Sequence, residues 1–210
     1  IDQFYADTMK GGHNLNDPAL VRTLTTHAKD AVAWLVSLGA DLNTVGRAGG
    51  AKYPRAHRPT DGSAIGPEVI RVLWKAAKDR KMDVRTQTRA TEIIMKDGRV
   101  AGVKATTKDG KVYTIDAKAV VLATGGFGAN QDMLVKYQPK LKGYATTNQP
   151  GATGDGIILA EHAGAALVDM KQIQAHPTAA PDGTLISESV RGDGGILINA
   201  EGKRFTNELL

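Results

Sequence analysis

From residue 92 to residue 126 the chain consists largely of short β-rich runs broken by two Asp-Gly pairs, and this stretch leaves few folds open. Residues 92–95 and 100–106 flank Lys96-Asp97-Gly98-Arg99, and residues 100–106 and 112–115 flank Lys108-Asp109-Gly110-Lys111. An Asp-Gly pair between two β-rich runs supplies the positive φ of a tight hairpin turn. The pattern predicts an antiparallel meander, preceded by a short extended piece at 84–88. Val120-Val121-Leu122 then reads as the start of a buried strand. It runs into Ala123, Thr124, Gly125 and Gly126. There side chains nearly vanish and a backbone can lie against a ligand, because glycine has no Cβ to block the approach. Ligands of open α/β sheets bind beyond the carboxyl ends of the strands. The other reading is an ordinary tight turn after a core strand.

Helical periodicity frames this block. Asn16-Asp17-Pro18 is a helix start, with Leu20, Leu24, Ala28, Ala31, Trp34, Leu35 and Leu38 recurring behind it and Gly39 as the stop. Pro67 opens a second helix with Val69, Ile70, Leu73, Trp74 and Ala77 as its buried stripe. Residues 45–66 between them read as one long loop holding Gly49, Gly50 and the basic run Arg55-Ala56-His57-Arg58. Gly154-Asp155-Gly156 begins a third helix that ends near Gly164. Beyond Lys171 come short extended pieces at 172–178, 184–190 and 195–205, which puts a domain boundary near residue 170. The fold class is α/β with α+β character.

Composition removes several function classes. There are no cysteines, which excludes disulfides, thiolate zinc sites and Cys nucleophiles in this stretch. No apolar run approaches the roughly 20 residues of a membrane span, so direct membrane insertion is not expected. The net charge of +5 is scattered, with its densest patches at 47–58 and 75–81, and only 5% of residues are aromatic. Basic runs without interleaved aromatic platforms argue against nucleic acid and suit small dicarboxylate anions. The chain opens at Ile1 in what reads as the middle of a helix, so it reads as an internal piece of a longer protein.

Four groups of residues can carry chemistry. Asp155 stands where a loop meets a helix, as a helix cap or as a contact to a cofactor hydroxyl or ring. The polar, turn-rich Thr146-Thr147-Asn148-Gln149-Pro150-Gly151 before it suits a binding loop. His176 precedes Pro177, which favours an extended backbone, and is either structural or a ligand contact. Ser187, Glu188 and Arg191 bring a hydroxyl, a carboxylate and a guanidinium within five residues, for substrate binding and proton transfer or for a surface ion pair. Arg55, His57 and Arg58 either attract anions or hold their loop by hydrogen bonds, the second being favoured. The five histidines are too dispersed for a metal site, and no Ser-His-Asp order emerges.

Taken in order, these segments resemble the flavoprotein subunits of fumarate reductases and succinate dehydrogenases, and within that family the soluble flavocytochrome c fumarate reductases. The resemblance spans nearly the whole chain. It rests on Asn16-Asp17-Pro18, Trp34 with Gly39-Ala40-Asp41-Leu42, Arg55-Ala56-His57-Arg58-Pro59, Ala123-Thr124-Gly125-Gly126-Phe127, Thr147-Asn148-Gln149-Pro150-Gly151, Gly154-Asp155-Gly156, Gln174-Ala175-His176-Pro177-Thr178 and Glu188-Ser189-Val190-Arg191-Gly192.

It implies FAD as cofactor, with residues 1–170 as part of a Rossmann-like FAD-binding domain containing the meander, and 171–210 as the start of a smaller capping domain. Ala123, Thr124, Gly125 and Gly126 would lie along the cofactor, Asp155 would contact it, and Ala90 would lie near its adenine. His176 and Ser187 would hold a substrate carboxylate, with Glu188 beside them, and Glu188 and Arg191 would relay a proton to a catalytic Arg beyond this stretch. The implied reaction reduces the C=C bond of an enoate such as fumarate. Electrons would come from a haem domain, a flavin domain or a cytochrome outside this chain, in anaerobic respiration, with a periplasmic or else a cytoplasmic location.

The family's Gly-x-Gly-x-x-Gly phosphate loop and its catalytic Arg are not in this stretch, which alone is expected to be inactive; further departures are Ser187 where the family often has Thr, and Ala48 and Leu185 where fumarate enzymes place Met. The alternatives are a urocanate or methacrylate reductase, a ketosteroid dehydrogenase, an aspartate oxidase, or a non-catalytic module on the same fold. His176 and Glu188 suit a dicarboxylate better than urocanate or a steroid.

Overall fold

The predicted helix start at Asp17 forms. Its carboxylate accepts hydrogen bonds from Ala19 N (2.8 Å) and Leu20 N (3.2 Å), satisfying two amides that have no partner inside the helix. In this computed structural model, which describes residues 1–48, 51–180 and 183–208, that helix belongs to a unit formed by Ile1–Val84 and Ile186–Leu210. Arg85–Leu185 form a second unit. Residues 171–180 and 183–185 belong to the second unit and 186–208 to the first. Among the described residues no helix is long and apolar enough to cross a membrane. Gly49 and Gly50 lie outside the described residues.

The helical unit contains α1 (Asp2–Gly11), α2 (Pro18–Ser37), the strands β1 (Thr44–Gly46) and β2 (Ala56–Arg58), and α3 (Ile65–Asp79). Gly39 follows α2 at φ +92°, the left-handed turn that ends helices. The core is small: Ala40, Leu42 and Val72 are buried, with Val32, Leu35, Leu38 and Leu73 packed on them. Glu68 on α3 fastens the turn after α2 by accepting from Asp41 N (2.7 Å) and Arg71 (2.6 Å). Arg71 in turn donates to Gly39 O (2.9 Å).

Two expectations about faces need correction. Leu20, Leu24 and Trp34 are exposed, and α2 buries Val21 and Thr25 instead. Ile70 and Trp74 are exposed on α3, whose buried residue is Val72. Periodicity places residues on a common stripe but does not say which edge of the stripe meets a neighbour. The loop expected at 45–66 contains the hairpin β1–β2, with Val45 opposite His57. Strands of three residues are too short to show a period of two.

The sheet unit is the predicted meander. β3 (Thr88–Lys96), β4 (Arg99–Thr107) and β5 (Val112–Asp116) pair antiparallel in the order β3-β4-β5. Gly98 and Gly110 sit at φ +72° and +83° in the two turns. β3 begins at Thr88, so the extended piece expected at 84–88 is only its approach. α4 (Gln131–Tyr137) was not foreseen; Asn130 caps it, accepting from Met133 N at 3.0 Å.

The strand predicted at 120–124 is not formed. Residues 120–126 carry no strand pairing, and Val121 is 88% exposed. A β-branched run becomes a strand only beside an edge to pair with, and no described strand pairs with it. α5 (Asp155–His162) follows Gly154 as predicted and ends before Gly164 at φ +90°. The extended piece expected at 184–190 is interrupted by α6 (Glu188–Gly192). Isolated bridges Ala179–Leu185 and Ile198–Arg204 are the pairing that the described residues of the C-terminal stretch show.

Candidate functional site

The sequence marks meet at the start of α5, inside the sheet unit. Gly154 turns at φ +77°, and its N–H donates to Gly126 O (3.2 Å). A Cβ at 156 would run into Thr124 Oγ1, and one at 154 into Met133 Sδ and Phe127 Cβ. The two glycines therefore let residues 124–127 lie directly on the first turn of α5. By contrast, apart from the adjoining residues of the chain, no described residue comes within 4 Å of a Cβ built on Gly125 or Gly126. The chain thus presents bare backbone to open space, beside a helix end whose free amides and dipole favour negative charge.

Asp155 is the first helical residue and not the cap, which is Gly154. Its Oδ2 accepts from Arg89 Nε (2.8 Å) and its Oδ1 from Thr153 Oγ1 (2.8 Å). The Arg89 hydrogen bond, then that of Thr153, holds the carboxyl below the usual carboxylate range, against a smaller opposing effect of burial. Arg89 lies 66 residues upstream, so local sequence reading missed this partner. Arg89, Ala90 and Asp155 line a cavity of about 190 Å³ with Ile158 and His162. Ala90 and Asp155 are thus brought together across β3 and α5.

His176, also in the sheet unit, lines a second cavity of about 140 Å³ with Tyr144, Thr147, Asn148 and Gln174. The polar loop forms one wall, tied down by Thr146 Oγ1 donating to Gly128 O (2.7 Å). Nδ1 of His176 is held by the Thr178 backbone, 3.0 Å from its O and 3.3 Å from its N. Either tautomer leaves Nε2 as the nitrogen available to a ligand.

Ser187, Glu188 and Arg191 lie together in the helical unit. Ser187 precedes α6 with extended backbone, and its hydroxyl donates to Ser189 Oγ (3.2 Å). Glu188 and Arg191 stand three residues apart on α6, all three side chains half-buried. The close spacing on one helical face is not a closed ion pair: Glu188 makes none among the described residues. α6 ends at Gly192, where a Cβ would strike Arg47 O, so the helix is seated on the backbone after β1.

Arg55, His57 and Arg58 serve structure, as favoured. Arg55 pairs with Asp7 (2.8 Å), His57 Nδ1 meets Leu42 O (2.8 Å), and the Arg58 guanidinium covers Gly46.

A model of the FAD binding domain family matches residues 1–210. A fumarate reductase (cytochrome) of Shewanella frigidimarina is 51% identical over 207 residues, 98% of this chain and 36% of that protein. An NADH:fumarate oxidoreductase of Klebsiella pneumoniae is 46% identical over 207 residues, 98% of this chain and 22% of that protein. The solved open conformation of a flavocytochrome c3 fumarate reductase superimposes with a TM-score of 0.86 at 44% identity, covering 100% of this chain and 37% of that one. The chain therefore spans about a third or less of the length of these relatives.

Proposed function

The chain belongs to the FAD binding domain family, and from that premise we propose that it is part of an FAD-dependent reductase acting on the C=C bond of an enoate such as fumarate. The observation that carries the reading is the bare backbone at Gly125 and Gly126 beside the α5 N-terminus. It fits the proposed cofactor because a large planar group needs a face without side chains, and a polar tail needs donors and a positive dipole end. Ala123, Thr124, Gly125 and Gly126 would line the cofactor by backbone. Asp155, kept ionised by Arg89 and Thr153, would accept a hydroxyl hydrogen bond, and Ala90 would border the adenine. When bound and reduced, FAD supplies the hydride for one alkene carbon.

The chain's own residues then have distinct tasks. His176, fixed through Nδ1, would offer Nε2 to a substrate carboxylate. Ser187 would donate its hydroxyl to a carboxylate. Such fixed donors stabilise the negative charge that grows on the enoate as hydride arrives. Glu188 would hold the proton destined for the other alkene carbon and pass it on with Arg191, general acid catalysis of a kind worth about 10²–10⁴ in rate. The relatives named for fumarate support this substrate class, while Ala48 and Leu185 leave room for a different enoate. A haem or cytochrome electron donor belongs to the same proposal, supported by likeness to a relative named fumarate reductase (cytochrome), and so do a flavin donor and a periplasmic location as further parts of the reading.

The test is Glu188→Gln in the intact protein. The reading predicts a fall in kcat of about a hundredfold or more with KM nearly unchanged. Equal loss of kcat and of substrate affinity would remove Glu188 from proton transfer.

A further inference from the structure

Ser187 has the backbone of a helix cap but not the hydrogen bond of one. It stands before α6 at φ −61° and ψ 153°, and its side chain accepts from no amide of the first turn. A serine at that position ordinarily spends its oxygen on the second or third amide of the helix. Here the hydroxyl turns instead to the Ser189 side chain and donates to its Oγ at 3.2 Å. Both residues are half-buried. Ser189 Oγ makes no other hydrogen bond among the described residues.

Serine has no branch at Cβ, so its χ1 is loose unless something holds it. The Ser189 oxygen supplies that hold. Each hydroxyl carries one proton and two lone pairs. Ser189 accepts from Ser187 and still has its own hydrogen to give, so the pair can reverse direction. When Ser187 turns its hydrogen to a carboxylate, Ser189 can donate to the Ser187 oxygen. The exchange is favourable. At 3.2 Å the neutral bond is longer than the usual range between hydroxyls, about 2.5–3.0 Å. A hydroxyl bond to a carboxylate is shorter and roughly twice as strong. A hydroxyl that accepts while it donates is polarised, which strengthens its own donation. Only hydrogen bonds change in this exchange, and no proton leaves either serine.

We propose that Ser189 is a positioning residue for substrate binding. It holds the Ser187 hydroxyl while the site is empty and donates to it once Ser187 donates to a substrate carboxylate. The proposal rests on the reading of Ser187 as a carboxylate donor. It adds a second hydroxyl that never touches the substrate.

The experiment is titration of the intact, oxidised, FAD-loaded protein with fumarate, followed by the change in flavin absorbance, so that no turnover is needed. We expect Ser187→Ala to weaken binding about tenfold or more, and Ser189→Ala to weaken it by about threefold to tenfold. Ser189→Thr keeps the hydroxyl and should bind nearly as the parent does. In a Ser187→Ala background, Ser189→Ala should add nothing, because the group it positions is gone. A purely structural loss would persist in that background. Alanine is a strong helix former, so Ser189→Ala retains α6. Undiminished affinity in Ser189→Ala, or an equal further loss in the Ser187→Ala background, overturns the proposal. If the parent does not bind fumarate, or Ser187→Ala binds it as well as the parent, the carboxylate reading of Ser187 fails and the proposal fails with it.

Discussion

β4 and residues 120–122 are written in the same alphabet and end in opposite states. β4 is central in its sheet, with Ala105 buried between Ala90 and Tyr113. Residues 120–122 have no pairing, and Val121 stands in solvent. β-branched residues announce that a segment suits a pleated, half-buried surface. Whether it becomes a strand depends on a neighbour, and the meander brings its own through two short Asp-Gly turns. The segment just beyond the unpaired run is also the one that most resembles a cofactor surface. The backbone at Gly125 and Gly126 is open, whereas Gly102 in β4 is pressed against Ile115 O.

The largest effect separates the two segments by charge. Ala105→Asp buries an unpaired carboxylate and should destabilise the sheet unit by about 3 kcal/mol or more, whereas Val121→Asp should stay within about 0.5 kcal/mol. Urea unfolding of this 210-residue chain measures both. In the intact protein a Rossmann-like sheet predicts that Val121→Asp becomes severe too. If it is still neutral there, residues 120–122 never become a strand.

Next come the two glycines. Gly102→Ala forces a Cβ against the Ile115 carbonyl and should cost about 1–3 kcal/mol. Gly126→Ala meets open space at ordinary φ, so it should leave thermal stability nearly unchanged and lower FAD occupancy, read from flavin absorbance per protein. A stable variant with full FAD would contradict the placing of the cofactor along Gly126.

The smallest effect is acid lability. Glu68 and Glu208, both in the helical unit, are lowered to about 2, chiefly by hydrogen bonds from Arg71 and Arg204. Their folded pKa lies below the unfolded value, so their stabilisation is present above about pH 4.5 and is lost as pH falls toward 2. The helical unit should therefore loosen across that window, seen as loss of far-ultraviolet helical signal. No change there between about pH 5 and pH 2 would contradict it.

What could be read in advance divides along the same line. Asp17 and the two Asp-Gly turns act through neighbours two or three residues away, and α2 and the meander were legible. The β1–β2 hairpin, α4 and α6 are too short for a period to show. The faces of α2 and α3 depend on what packs against them, and a stripe of apolar residues does not carry that information. The site was legible as marks and not as a network. Gly154, Asp155 and Gly156 pointed to the helix start, but Arg89, the partner that keeps Asp155 ionised, comes from β3, 66 residues away. His176 was visible as a residue, whereas its fixation by the Thr178 backbone emerges only in the folded chain.

The most direct test of the reductase reading is oxidation of a reduced viologen by the intact, FAD-loaded protein, with fumarate, methacrylate and urocanate offered separately. We expect rapid turnover with one enoate, fumarate first, and its loss in Glu188→Gln. FAD bound at full occupancy with no turnover on any of the three would contradict the reductase reading and leave a flavin-binding fold with another task.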